Sequence, residues 1–143
     1  MSNLEPNLSS AARELFETRG VGELAEKMGI KLLELSAERA VATMPVEGNR
    51  QPLGLLHGGA YVVLAESLGS MAANVWAHSK SKFAVGIEVN ASHSNSAREG
   101  LVTATCEAIT LGSTLTIHQI VVEDAEGRRL STIRITNLLR EKR

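Results

Sequence analysis

The chain has 143 residues and a net charge of −1, and 43% of it is hydrophobic. That is one domain's worth of sequence, long enough to bury a core. The near-neutral balance and the scarcity of aromatics (Trp 1, Tyr 1, Phe 2) offer nucleic acid neither a basic field nor a stacking platform. Cys106 is the only cysteine, which rules out an intramolecular disulfide and fits a reducing, cytoplasmic setting.

Residues 1–6 read as a loose polar tail without the apolar core of a secretory signal. Residues 7–28 read as short helices. Leu8, Ala11, Ala12, Leu15 and Phe16 recur at helical spacing, with Asn7 or Ser9 as the cap and Gly20 as the stop. A second short helix, near Val21 to Met28, ends at Gly29. From residue 30 to residue 139 the pattern is that of a core domain. Ile30–Ser36 and Arg39–Pro45 form an antiparallel pair joined by a short turn at Ala37 and Glu38. Val46–Leu53 is a loop.

The next stretch, Gly54 to Ala77, organises the rest. It reads as a long helix without proline, and between Gly58 and Ala77 its only charged side chain is Glu66. A helix apolar nearly all round is buried nearly all round. A lone carboxylate inside it is expensive unless paired, hydrogen-bonded or used. Gly58, Gly59, Ser67, Gly69, Ser70 and Asn74 dilute the apolar content, and no basic cluster flanks it, which argues against a membrane span. A core helix with a merely hydrogen-bonded glutamate is the plain alternative to a site helix. Ser70 follows Glu66 at i+4 on the same face. His57 stands at the helix mouth, and Gly58 and Gly59 bring bare N–H groups to the positive end of the helix dipole.

Four more strands follow: the first from Phe83 to Ala91 or on to Ala97, then Leu101–Thr110, Leu115–Glu123 and Arg129–Leu139. Asp124-Ala-Glu-Gly127 forms a hairpin turn suited to positive φ at Gly127. Six strands around one central helix make an α+β domain whose antiparallel sheet must curl about that helix. The apolar surface left over predicts a homo-oligomer. Small residues on the Glu66 side of the helix (Gly69, Ser70, Ala73, Ala77) leave room for a second element there.

Metal chemistry has little support, since His57, His78, His93 and His118 show neither i, i+4 pairing nor cysteine partners. Asp124 is the only aspartate, so a Ser-His-Asp triad has almost no candidates. Ser67 and Ser70 lack a nucleophile elbow, and no lysine follows the Gly-Gly pair to make a phosphate loop. What remains suits acyl chemistry. The Gly58 or Gly59 N–H would polarise a carbonyl, and Glu66 would attack it or activate water. Gly58 and Glu66 are eight residues apart, about 12 Å along a helix axis. One helix cannot supply both groups to one carbonyl, whereas an antiparallel copy can.

Gln51-Pro-Leu-Gly-Leu-Leu-His-Gly-Gly59, Leu64-Ala-Glu-Ser-Leu-Gly-Ser70, Glu88-Val-Asn-Ala-Ser-His93 and Ser96-Ala-Arg-Glu-Gly100 together resemble the hotdog-fold acyl-CoA thioesterases. The likeness is to the glutamate-dependent subgroup of hydroxybenzoyl-CoA and proofreading thioesterases, and it covers residues 30–139. It implies a hotdog fold, no metal or redox cofactor, an acyl-CoA or acyl-carrier substrate, and dimers paired into tetramers. It implies Glu66 as nucleophile or general base, Gln51 and His57 as orienting groups, the Gly58 N–H as carbonyl polariser, and Ser70 beside the attacking water or the acyl ring. Gly86 would lie beside the substrate. His93, Ser94, Asn95 and Ser96, with Thr110, Leu111, Gly112, Ser113, Thr114 and Leu115, would line the CoA arm, and Arg98 would meet a phosphate. Neither nucleic acid nor membrane is an expected partner. Two rivals differ in class: a non-catalytic acyl-CoA binder, for which a desolvated Glu66 has no use, and a hydratase or dehydratase on the same fold.

Overall fold

The structure is a computed structural model that describes residues 5–143. Most of the expected tail, residues 1–4, lies outside the described residues. The elements run β1 (Asn7–Leu8), α1 (Ser10–Arg19), α2 (Glu23–Lys27), β2 (Lys31–Leu35), β3 (Arg39–Pro45), α3 (Gly58–His78), β4 (Lys82–His93), β5 (Leu101–Leu111), β6 (Leu115–Glu123) and β7 (Arg129–Glu141). The single sheet has seven strands in the order β1-β2-β3-β5-β6-β7-β4. All neighbours are antiparallel except β1, which runs parallel to β2 through Asn7 opposite Glu34 and Leu8 opposite Leu35. This strand is a correction to the sequence reading, which placed residues 7 and 8 in the first helix. The cap is Ser9, whose hydroxyl accepts from the Ala12 N–H at 3.2 Å.

The sheet wraps α3 as the hotdog resemblance implies. Leu64, Leu68 and Ala72 of α3 are buried together with Met44, Val102, Ile120, Ile133 and Ile135 of the strands. Burial of side chains of this size contributes about 1.5–3 kcal/mol each. Gly69 lets the helix settle on β7: a Cβ there would stand 2.5 Å from Ile135 Cγ2. Ala73 and Ala77 pack on Ala84 and Leu139. The second element that Gly69, Ala73 and Ala77 make room for is therefore the chain's own sheet.

The helix is less enclosed than its composition suggests. Ser67, Ser70 and Asn74 are half-buried, and Glu66 is exposed in the protomer. The burial expected of that carboxylate is thus not provided by its own chain. The reason is the sheet order. The last strand beside this face of α3 is β4, an edge strand with one unpaired side, and no strand among the described residues extends the sheet beyond it. Asn74 pins the helix to this edge, with its amide donating to the Ala84 carbonyl at 3.1 Å and its Oδ1 accepting the Ala84 N–H at 3.0 Å.

At the far end of β6, the Asp124 carboxylate accepts the N–H groups of Glu126 and Arg128 at 3.0 and 2.9 Å. Gly127 adopts φ 81°, as the hairpin reading requires.

Candidate active site

The sequence-predicted residues fall into three groups. The first is at the mouth of α3. His57 is the N-cap, and its Nδ1 accepts the Gly59 N–H at 2.8 Å. That bond fixes the tautomer with the proton on Nε2. It also corrects the expectation of two bare N–H groups: Gly59 is occupied by the cap, and Gly58 alone has no acceptor among the described residues. Gln51 lies in the loop that leads in, where its side-chain oxygen accepts the Leu53 N–H and its backbone N–H donates to the Leu55 carbonyl at 2.8 Å. His93, at the end of β4, packs over Gly58; a Cβ on that glycine would stand 3.1 Å from His93 Nε2. Its ring lies 5.0 Å from that of Tyr61. His93 Nδ1 lies 2.8 Å from Ser131 Oγ, whose hydroxyl also reaches the Ser92 carbonyl at 3.3 Å. Burial raises the Tyr61 hydroxyl above its ordinary range and favours its neutral form.

The second group surrounds Glu66. Gly86 of β4 faces it so closely that a Cβ would stand 2.9 Å from Glu66 Oε2. The absence of a side chain at Gly86 is what gives the carboxylate its place. The strand carries a bulge here, between Gly86 and Glu88, which bends β4 at this point. Ser70, one turn on, donates to Asn137 Oδ1 at 3.5 Å. Asn137 lies on β7 directly opposite Gly86 and is fully buried. The sequence reading missed it. The signal was present: Ser131, Ile133, Ile135, Asn137 and Leu139 form one inward-facing row of β7, and the asparagine stands between two large apolar side chains.

The third group is Thr110 to Leu115, with Thr110, Leu111, Gly112, Ser113 and Thr114 leading into β6. This turn sits at the other end of the helix, where Trp76 Nε1 donates to the Gly112 carbonyl at 2.8 Å. Gly58 and Trp76 are eighteen residues apart, about 27 Å along the axis. Within one protomer the two segments expected to line a CoA arm are therefore not brought together.

Two cavities adjoin these groups. One of about 950 Å³ is bordered by Leu55, the Ser94–Gly100 segment and the Asp124–Arg128 turn. Ser94, Asn95, Ser96 and Arg98 line it, but so do Glu99, Asp124 and Glu126, and Arg128 is committed to Asp124 and to the Ser96 carbonyl. The other, of about 250 Å³, lies between α1 and α3 and is lined by Phe16, Arg19, Ser67, Ser70 and Met71 among others. Among the described residues no three His, Cys, Asp or Glu side chains converge as a metal site would require. No described helix is long and apolar enough to cross a membrane.

The chemistry these groups support is that of an acyl carbonyl held at a helix N-terminus and attacked with the help of a carboxylate. Comparison with known proteins gives the family. Residues 53–131 match the thioesterase superfamily. The chain is 40% identical over 127 residues to the 1,4-dihydroxy-2-naphthoyl-CoA hydrolase of Escherichia coli, covering 88% of this chain and 93% of that one. It is 40% identical over 124 residues to a proofreading thioesterase of Cronobacter turicensis, covering 86% and 90%. A crystal structure of a Haemophilus influenzae thioesterase superposes with a TM-score of 0.81 at 31% identity, over 91% of this chain and 90% of the other. With sequence and fold in agreement along nearly its whole length, the chain belongs to the thioesterase superfamily, as a hotdog-fold hydrolase of thioesters.

Proposed function

We propose that the protein hydrolyses an acyl-CoA or acyl-carrier thioester with an aromatic or medium-length acyl group, at a site built by two copies of the chain. The observation that carries this reading is Glu66, exposed on an otherwise well-packed helix and lodged against the bare Cα of Gly86. Glu66 drives the attack, as nucleophile or as general base for water. The carbonyl oxygen accepts the free Gly58 N–H of the neighbouring copy, where the helix dipole stabilises the charge that develops. His57, donating from Nε2, and Gln51 orient the thioester, with Ser70 beside the attacking group. Water adds to the carbonyl carbon, the C–S bond breaks, and the products are a carboxylic acid and a free thiol.

A second copy is supported by three features. Glu66 and Gly58 are too far apart on one helix. Strand β4 offers a long unpaired edge with Val85 and Ile87 exposed. An antiparallel pair would also bring the His93–Ser96 segment of one copy toward the Thr110–Leu115 turn of the other, giving a CoA arm a continuous path. Dimers paired into tetramers and a cytoplasmic location complete the reading. The cavity between α1 and α3 borders Ser70 and suits the acyl group.

The test is thiol release across aromatic, short and long acyl-CoAs, with Glu66→Gln beside the native chain. Loss of at least three orders of magnitude in kcat with acyl-CoA binding retained is expected. Near-native turnover in Glu66→Gln would remove the carboxylate from the chemistry and restore the binder as the better reading.

A further inference from the structure

The cavity between α1 and α3 takes much of its wall from apolar side chains, Phe16, Val21, Leu35 and Met71 among them. Its volume of about 250 Å³ suits an acyl group and is too small for a whole acyl-CoA. One stripe of α3 leads into it. Glu66, Ser70 and Asn74 stand at i, i+4 and i+8 and follow one another along one face of the helix. Ser70 and Asn74 line the cavity, and Glu66 stands one turn before Ser70. Asn74 has little left to offer a ligand. Its amide nitrogen donates to the Ser70 and Ala84 carbonyls at 2.9 and 3.1 Å, and its Oδ1 accepts the Ala84 N–H at 3.0 Å, which fixes the orientation of the carboxamide. Arg19, in the last turn of α1, lines the same cavity and is its only charged member. Its one side-chain hydrogen bond among the described residues is a long one, from Nη1 to Asn74 Oδ1 at 3.5 Å, and it joins no salt bridge among them. The guanidinium therefore keeps open donors at the Asn74 end of the cavity, in a fork that matches a carboxylate.

We propose that Arg19 is a specificity residue that selects acyl groups ending in a carboxylate, with that carboxylate on the guanidinium and the thioester carbonyl at Glu66. This rests on the thioesterase reading of Glu66 and names a substrate class within it. The length follows from the stripe. Glu66 and Asn74 are eight residues apart, about 12 Å along the axis. Contacts of about 3 Å at each end leave about 6 Å between the carbonyl carbon and the far carboxylate, the span of a 4-carboxybenzoyl or an adipoyl group. The apolar middle of such a group meets Phe16 and Met71. Its charged end stays at the exposed Arg19, paired and partly hydrated, so no unpaired anion is buried. An acyl group of the same length ending in a methyl fills the same wall but leaves Arg19 without its partner.

The test is thiol release from two matched pairs, 4-carboxybenzoyl-CoA with 4-methylbenzoyl-CoA and adipoyl-CoA with hexanoyl-CoA. Each is assayed with the native chain, Arg19→Gln and Arg19→Glu. In at least one pair the native chain is expected to favour the carboxylate member in kcat/KM by about fivefold or more, the scale of a charged hydrogen bond discounted for exposure. Arg19→Gln is expected to bring that ratio toward one, and Arg19→Glu to turn it in favour of the methyl-ended member. Arg19 is exposed, so neither substitution opens the core. A native ratio of one or less in both pairs overturns the proposal. So does a ratio that stays the same in all three proteins, because an Arg19 that only ties α1 to Asn74 would change both members of a pair alike. The two readings fail separately. Turnover of the methyl-ended members with no preference for the carboxylates removes the role of Arg19 and leaves the thioesterase site standing, whereas a native chain that hydrolyses none of the four overturns both.

Discussion

A histidine kept neutral inside a fold makes stability depend on pH. His118 is fully buried on β6, and its Nε2–H donates to the Ala37 carbonyl at 2.8 Å, holding the turn between β2 and β3. Its Nδ1 has no partner among the described residues. Desolvation lowers its pKa below the ordinary histidine value, against smaller opposing effects of the Ala37 bond and Glu38. The unfolded chain takes up a proton below about pH 6.5 that the folded chain refuses. Stability is therefore fully present above that value and falls as pH drops toward the folded pKa. Thermal melts of the native protein are expected to lose stability between pH 7 and pH 5, and His118→Gln is expected to flatten that slope. An unchanged slope in the variant would assign the acid sensitivity elsewhere. Cys106 is the opposite case: burial pushes its thiol up to about 12, so it is an inert part of the core. At this scale composition is a poor guide to individual partners. His118 and His57 look alike in sequence; one holds a turn from inside and the other caps a helix, and only their neighbours in space tell them apart.

Elements were legible where their signals are local. The long helix, the turn at Asp124 and the Arg39–Pro45 strand have caps, glycines or alternation to mark them. Strand β1 has none of these. It exists because residues before the Ser9 cap lie alongside β2, a non-local pairing that a short polar stretch does not announce. Small residues of α3, Gly69 among them, were read as leaving room for a second element, and at Gly69 that element is the chain's own β7 through Ile135. That contact predicts a cost. Gly69→Ala gains up to about 1 kcal/mol of helix propensity. It also drives a methyl into a fully buried branched side chain on a sheet that cannot yield freely, at about 1–3 kcal/mol. Overpacking wins, and urea denaturation is expected to show a net loss of up to about 2 kcal/mol. The double variant Gly69→Ala with Ile135→Ala should be less destabilised than the sum of its parts. Strict additivity would mean that the two positions do not touch.

The whole molecule is where the sequence carried the argument furthest. The helical rise between Gly58 and Glu66 already separates the two groups on one helix, and the proposal of a site shared between copies starts from that distance. What the sequence left out was Asn137, which joins the site only through a register in which β4, β7 and β6 align. A site shared between copies has a consequence that no single-chain site has. Gly58→Pro removes the N–H proposed to polarise the carbonyl while keeping the helix, because proline is accepted at the first helical position. Glu66→Gln removes the base. Each variant alone is expected to be inactive. Mixed, unfolded and refolded together, they form heterodimers in which one of the two sites has both native groups, so about a quarter of all sites should work. Titrating one variant into the other and following thiol release should show activity rising to a maximum near equal amounts. A mixture as inactive as its components would place Gly58 and Glu66 in separate functions and dissolve the shared site.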